Sequence, residues 1–251
     1  MKFMALASKN QKELLRDPLS YIFCIGFPLI MLVIMSIVNQ SIPDEAHMVI
    51  FDIHHLPAGI AVFGLTFIML FTALLLSKDR SQALLIRLYT SPLTAADYIL
   101  GYMMPVLIIA VLQMCITFAS SCVIALIADD SLNVGLLLVS VIGLLPSAVL
   151  YIGLGFIFGS LLSDKSAPAI CSIFISAAGM LGGIFMDVES LGGIFFKICR
   201  LLPFYHSVKA ARSIILEDYQ SALRPIIVTI LYAAAVIIIA TIIFKKQMKR
   251  Q

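Results

Sequence analysis

The sequence predicts an all-α polytopic membrane protein: six transmembrane helices, an N-terminal amphipathic interfacial helix, a short cytoplasmic helix between the second and third spans, and re-entrant or interfacial helices before the last span. Three observations predict it. Hydrophobic residues make up 61% of the 251 positions, charged residues only 12%, and mean hydropathy is +1.07. That leaves too little polar surface to clothe a water-soluble particle of this size. Six runs (19–43, 56–77, 98–128, 131–163, 166–186 and 225–244) contain no Asp, Glu, Lys, Arg or His, and each offers the roughly 20 apolar residues that a crossing helix needs. Finally, 12 of the 17 Lys and Arg fall on one side of the resulting alternation, the other five lying in the outside segment before the last span, which fits the positive-inside bias.

Residues 1–18 read as an amphipathic helix. Phe3, Met4, Ala7, Leu14 and Leu15 cluster on one side, with Lys2, Lys9, Lys12 and Arg16 on the other. Asp17-Pro18 ends it, because a residue before proline is pushed out of the helical region. Such a helix lies in the headgroup plane with its cations toward anionic lipid. It serves either as an anchor alone or also as a contact for a cytoplasmic partner. The following apolar run is long and ends in Asn39-Gln40-Ser41, not a small-x-small cleavage site, so it reads as an uncleaved first span.

The spans are expected at about 19–39, 57–77, 98–127, 134–162, 167–186 and 225–244. The third and fourth runs are longer than a bilayer requires, and Pro105 and Pro146 mark where they would bend. A further apolar stretch, 191–205, is interrupted by Lys197 and Arg200 and ended by Pro203. Two cations at mid-membrane would cost about 2.5–3.5 kcal/mol each, so it is read as re-entrant or interfacial. With the N-terminus cytoplasmic, Lys2, Lys9, Lys12, Arg16, Lys78, Arg80, Arg87, Lys165, Lys245, Lys246, Lys249 and Arg250 all lie inside. The first two outside loops hold five acids and no cation. Both termini are therefore expected in the cytoplasm.

The segment 78–97 is the most distinctive non-membrane piece. Its middle, 82–89, is a short helical pattern with Leu84, Leu85 and Leu88 on one side, and Arg80 and Arg87 share the opposite face. Ser91-Pro92 ends the pattern and Thr94 can cap the third span. This stretch either docks into a groove on another protein or connects two spans with its leucines on the bilayer. Outside, residues 187–224 read as two short helices hinged at Pro203. Phe204, Val208, Ala211 and Ile215 are on one face, His206, Lys209, Ser213 and Glu217 on the other, and Arg212 sits at the apolar edge, where it must snorkel or pair with an acid. Gly153, Gly155 and Gly159, and likewise Ala169, Ser172 and Ser176, have the spacing that lets helices approach closely within one chain. Gln113, a buried amide in the third span, either lines a substrate path or bonds across helices.

Several chemistries are absent. No GxxxxGK[ST] occurs and no Gly precedes a Lys, so the chain has no P-loop. HExxH and GxSxG are missing too. His47 and Asp52 form an HxxxxD pattern in an outside loop, and with His206 they are the residues a membrane-embedded enzyme would use. The five cysteines form no CxxC pair and read as reduced packed side chains, and no metal site is expected. No span carries a central charge. That counts against a channel or secondary carrier running on its own ion relay, the other alternative.

Three segments, Leu15-Arg16-Asp17-Pro18, the stretch from Asp79 to Pro92, and Leu202 to Arg212, carry a resemblance to type-2 ABC transporter permeases, the six-span membrane subunits of ATP-driven exporters. In the second segment Asp79, Arg80, Arg87, Leu88, Ser91 and Pro92 fit the family's pattern, whereas Ser81 and Ala83 depart from it. The resemblance implies that 78–97 is the coupling loop. Asp79, Arg80, Gln82, Leu84, Leu85, Arg87, Leu88 and Tyr89 would meet a nucleotide-binding ATPase subunit, with Arg16 and Asp17 beside them. It also implies an extracellular gate region, 187–224, containing Pro203, Phe204, Tyr205 and Arg212. The chain itself would carry no cofactor, since ATP and Mg belong to the partner ATPase. A second permease subunit, identical or homologous, and membrane lipids complete the expected partners, with no nucleic acid. A path lined by Phe, Leu, Ile and Met suits a hydrophobic or amphipathic cargo such as a drug, lipid or peptide.

Overall fold

The computed structural model describes residues 3–42, 49–81 and 94–248, and among these every regular element is helical. In chain order they are α1 (Phe3–Arg16), α2 (Pro18–Ser41, widened by a π turn at Ile22–Gly26), α3 (Leu56–Ser81) and α4 (Ala95–Ile127). The bent pair α5 (Val134–Gly143) and α6 (Leu145–Leu161) follows, then α7 (Ala167–Leu181), the short α8 (Val188–Leu191), α9 (Gly193–Leu201), α10 (Pro203–Ile215) and α11 (Tyr219–Met248).

Among the described residues, α2, α3, α4 and α11 are each long and apolar enough to cross a membrane, and α5 with α6 is a fifth such unit bent by 40°. The bend falls at Leu144, two residues before Pro146. Proline there lacks the N–H that would continue the ladder and crowds the carbonyl four residues back. Pro105, by contrast, lies within an unbroken α4. The helix of the fifth run is short: α7 has 15 residues, about 22 Å of helix against a core of about 30 Å. It ends at Gly182-Gly183, where Gly183 has φ +74° and turns the chain.

The bundle is built around α3, whose apolar window is 89% buried, against 17% for α2 and for α11 on the periphery. Helix α6 lies directly on it. A Cβ at Gly155 would stand 2.5 Å from the Met69 carbonyl oxygen, and one at Gly159 would stand 2.7 Å from that of Ala73. The two glycines thus let backbones touch. Gly153 faces α11 instead, against Val236. The other small-residue series behaves differently from the expectation of packing within the chain. Ala169, Ser172 and Ser176 are exposed on the outward side of α7, while Cys171, Ile175 and Ala178 face inward.

Helix α1 and the C-terminal turns of α11 lie at one end of the bundle, here the near end. There α1 lies against the start of α4, and Phe244 of α11 meets Tyr98 with ring centroids 5.3 Å apart. Three boundaries differ from the sequence expectation, each for a local reason. Helix α3 runs to Ser81, past its apolar run, because Asp79 and Arg80 find partners inside the protein. Helix α11 starts six residues before Pro225, because the Asp218 carboxylate accepts the Ser221 N–H and caps it. In α1 the buried stripe is Leu6, Asn10 and Leu14, while Met4 and Leu15 are exposed. The helix docks on α4 through Leu6 against Gly101, rather than offering lipid the whole face drawn from the sequence.

Candidate functional site

At the near end, residues 82–93 leave α3 at Ser81 and rejoin the bundle at Thr94. Gln82, Leu84, Leu85, Arg87, Leu88 and Tyr89, six of the residues the sequence assigns to partner contact, lie outside the described residues, as do Ser91 and Pro92. The two ends of that segment are described, and both are held firmly.

On the α3 side, Asp79 is almost wholly buried. Lys9 of α1 donates to both its carboxylate oxygens at 2.8 Å, and the Tyr102 hydroxyl of α4 donates to Oδ2 at 2.6 Å. A buried carboxylate is tolerable only when paired and hydrogen-bonded, and here both conditions hold. The network continues outward. Lys9 also pairs with Glu13 at 2.7 Å, and Glu13 accepts from Lys78 at 2.9 Å. Burial pushes the Glu13 carboxyl up, but the hydrogen bonds from Lys9 and Lys78 together outweigh it and hold it below the ordinary value.

Arg80, which the spacing placed on one face with Arg87, is described and Arg87 is not. Arg80 turns inward and donates to the carbonyls of Ser160 and Leu162 at the C-terminal end of α6. The last carbonyls of a helix are unpaired and carry partial negative charge, so a guanidinium is a fitting cap. On the α4 side, Thr94 and Asp97 form a reciprocal capping box, and Asn10 of α1 donates to the Gly101 carbonyl at 3.2 Å. Arg16 is exposed, and Asp17 caps α2 by accepting from Leu19 N–H and the Ser20 hydroxyl. The segment 82–93 thus springs from a junction that ties α1, α3, α4 and α6 together.

Sequence reasoning missed Lys9, Asn10, Glu13 and Tyr102 as members of this junction. One signal was present: Asn10 sits four residues from both Leu6 and Leu14, a polar residue in an apolar stripe.

The far end holds the second group. Helices α9 and α10 meet at the Leu202–Pro203 hinge. Val208 and Ala211 of α10 are buried with Phe204, which stacks on Tyr151 at 6.1 Å and meets Phe174 edge-on at 6.3 Å. Tyr205 and Lys209 both donate to Glu189, at 2.7 and 2.8 Å. Tyr232 of α11 donates to the Leu201 carbonyl, and His206 Nε2 to that of Arg200 at 2.9 Å. Arg212 does not snorkel, and it forms no ion pair among the described residues. Its Nε donates to the His55 carbonyl at 3.3 Å and its guanidinium rests over Gly59, where a Cβ would be 3.4 Å away. Burial pushes its pKa down to about 10, opposed by Asp187 and Glu189, so it stays charged at neutral pH. A cavity of about 150 Å³ lies between these residues, His55 and Gly183.

Gln113 is 1% exposed. It donates to Thr117 at 3.1 Å and packs on Gly64, where even a Cβ would overlap its amide. Of the residues an enzyme would use, His47 lies outside the described residues, and the Asp52 carboxylate caps a turn by accepting the His54 N–H at 2.9 Å. His206 is at the far end on α10, and burial holds its pKa below the ordinary value. Among the described residues no three of His, Cys, Asp and Glu come together as a metal site.

Compared with individually curated proteins, the chain has no match. A family model does match: that of the ABC-2 type transporter, over residues 1–216. That match takes in α1, the junction around Asp79 and the hinged far-end helices, and the chain belongs to the ABC-2 type transporter family, as a membrane-spanning permease subunit whose ATPase is a separate chain.

Proposed function

We propose that the chain is the permease of an ATP-driven exporter in the bacterial plasma membrane, with six crossings and both termini in the cytoplasm. Two such subunits, identical or homologous, enclose the substrate path. A separate ATPase, which binds ATP and Mg, drives them through residues 79–89. The cargo is hydrophobic or amphipathic, a drug, lipid or peptide. The far-end helices, with Pro203, Phe204, Tyr205 and Arg212, act as an extracellular gate, and Gln113 lies on the route that opens between α3 and α4.

The observation that carries this reading is the junction at Asp79. A loop that merely connected two spans would have no need of a buried ion pair from α3 to α1, an arginine cap on α6 and a hydrogen bond from the Asn10 side chain of α1 to α4. Those ties suit a lever that must transmit force without bending. The near end also gathers Lys9, Lys12, Arg16, Lys78 and Arg80 with Lys245 and Lys246, which supports a cytoplasmic assignment.

Purification of the tagged full-length chain from its native membrane in mild detergent tests the reading. A P-loop ATPase recovered in equal molar amount is expected. A chain that comes through alone, and moves solute in liposomes without nucleotide, would overturn it.

A further inference from the structure

A cleft of about 840 Å³ opens at the near end between α1, the corner at Asp17-Pro18 and the last turns of α3. Its two sides differ in chemistry. One is apolar, formed by Leu19, Phe71, Leu74 and Leu75 where the spans enter the membrane. The other is the flank of α1, with Lys9, Lys12, Glu13 and Arg16.

The charges there are unevenly matched. Lys9 and Lys78 are neutralised by Asp79 and Glu13, and the Asp17 carboxylate is engaged in capping α2. Lys12 and Arg16, one helical turn apart on the same flank, have no acidic partner among the described residues. The cleft therefore holds more cations (Lys9, Lys12, Arg16 and Lys78) than acids (Glu13, Asp17 and the buried Asp79), and Lys12 and Arg16 stand directly beside the apolar wall with no salt-bridge partner among the described residues.

We infer that this cleft binds one anionic phospholipid, its phosphate between Lys12 and Arg16 and an acyl chain along Leu19, Phe71, Leu74 and Leu75. Charge complementarity selects the occupant. A zwitterionic lipid would satisfy the wall, but its phosphate is offset by its own choline or ethanolamine cation, so it brings no net negative charge to Lys12 and Arg16. An acidic protein surface would satisfy the cations and leave the wall unfilled. The bound lipid acts as a wedge that completes the docking of α1 against α3. The inference rests on the placement of α1 at the headgroup plane and not on ATP coupling.

The chain has no tryptophan, so Leu19→Trp, at an exposed position, installs a single reporter at the cleft mouth. The full-length chain is reconstituted in phosphatidylcholine vesicles, identical in both leaflets, that contain a minor fraction of either dibrominated phosphatidylglycerol or dibrominated phosphatidylcholine. Each cation near the surface contributes about 1 kcal/mol toward anionic lipid, so quenching should report an enrichment of about tenfold or more for the glycerol lipid. Lys12→Gln with Arg16→Gln should reduce it to the phosphatidylcholine level. Lys245→Gln with Lys246→Gln, the same charge change at the end of α11, should leave it intact. Equal quenching by the two lipids overturns the inference, as does enrichment that survives the first pair or falls equally with the second. Loss of the enrichment on adding the ATPase subunit would also overturn it, by assigning the cleft to that protein. None of these outcomes depends on whether the chain exports anything.

Discussion

Lys9 Nζ of the first helix lies 2.8 Å from each carboxylate oxygen of Asp79, seventy residues later and at the last turn of the most buried helix. This pair joins an element that could lie passively on the membrane to the one helix that most of the bundle packs around. It makes α1 part of the packed bundle. Tyr102 closes the arrangement from α4, so the helices flanking residues 82–93 share one buried anion.

Breaking one side of that pair leaves a buried charge, which costs several kcal/mol when no water reaches it. Lys9 is partly exposed, so a smaller loss of about 1–3 kcal/mol is expected for Lys9→Met. Adding Asp79→Asn to that variant should recover part of the loss, because the orphaned anion disappears. Thermal unfolding of the purified permease measures both. A double variant no more stable than Lys9→Met would contradict the pairing.

Arg80 and Arg87 should behave differently despite similar sequence settings. Arg80→Ala removes charge-assisted bonds to two carbonyls and should destabilise the isolated permease by about 1–3 kcal/mol. Arg87→Ala should leave the melting temperature of the isolated permease unchanged and weaken capture of the ATPase. Equal melting temperatures for the two variants would place Arg80 outside the fold's support.

The backbone contact of α6 on α3 is testable at single glycines. Gly155→Ala or Gly159→Ala forces a methyl group to within 3 Å of a carbonyl oxygen and should cost about 1–3 kcal/mol each. Gly26→Ala is the matched control, since the nearest atom to a Cβ there is 3.9 Å away. Its unfolding should be unchanged.

Acid should loosen α1 before the rest of the near end. The Glu13 carboxyl is held below its ordinary value of 4.5 in the folded protein. The stabilisation is therefore complete above that value and is lost as pH falls through the lower, folded one. Hydrogen-exchange protection over residues 3–16, corrected for the intrinsic pH dependence of amide exchange, should fall on acidification across that window. Glu13→Gln should show the faster exchange already at neutral pH and lose this pH dependence.

The fold class and the apolar runs were legible because a bilayer imposes a length and a composition that one sequence can display. The bend near Pro146, the Thr94 cap and the hinge at Pro203 were legible because each depends on a residue's own backbone chemistry. The junction was not. Lys9 reaching Asp79, Arg80 capping α6 and Asn10 bonding to Gly101 join positions 70 to 91 residues apart, and helical periodicity carries no information over that range. A wheel also sorts residues by polarity, so it set Lys9 among the solvated cations and missed Asn10 on the buried stripe. The outward small residues of α7 failed for a related reason: spacing shows that a close approach is possible, not which neighbour makes it.

On the proposed function, residues 82–89 receive work from a separate ATPase and pass it to the bundle through the Asp79 junction. The most direct measurement is ATP-driven export by the reconstituted permease–ATPase complex, recorded beside its ATPase rate, for Leu84→Ala with Arg87→Ala. Export should be lost while the ATPase keeps hydrolysing without stimulation by cargo, and the permease should melt as the unmodified chain does. Full, cargo-stimulated export by that double variant would contradict the account.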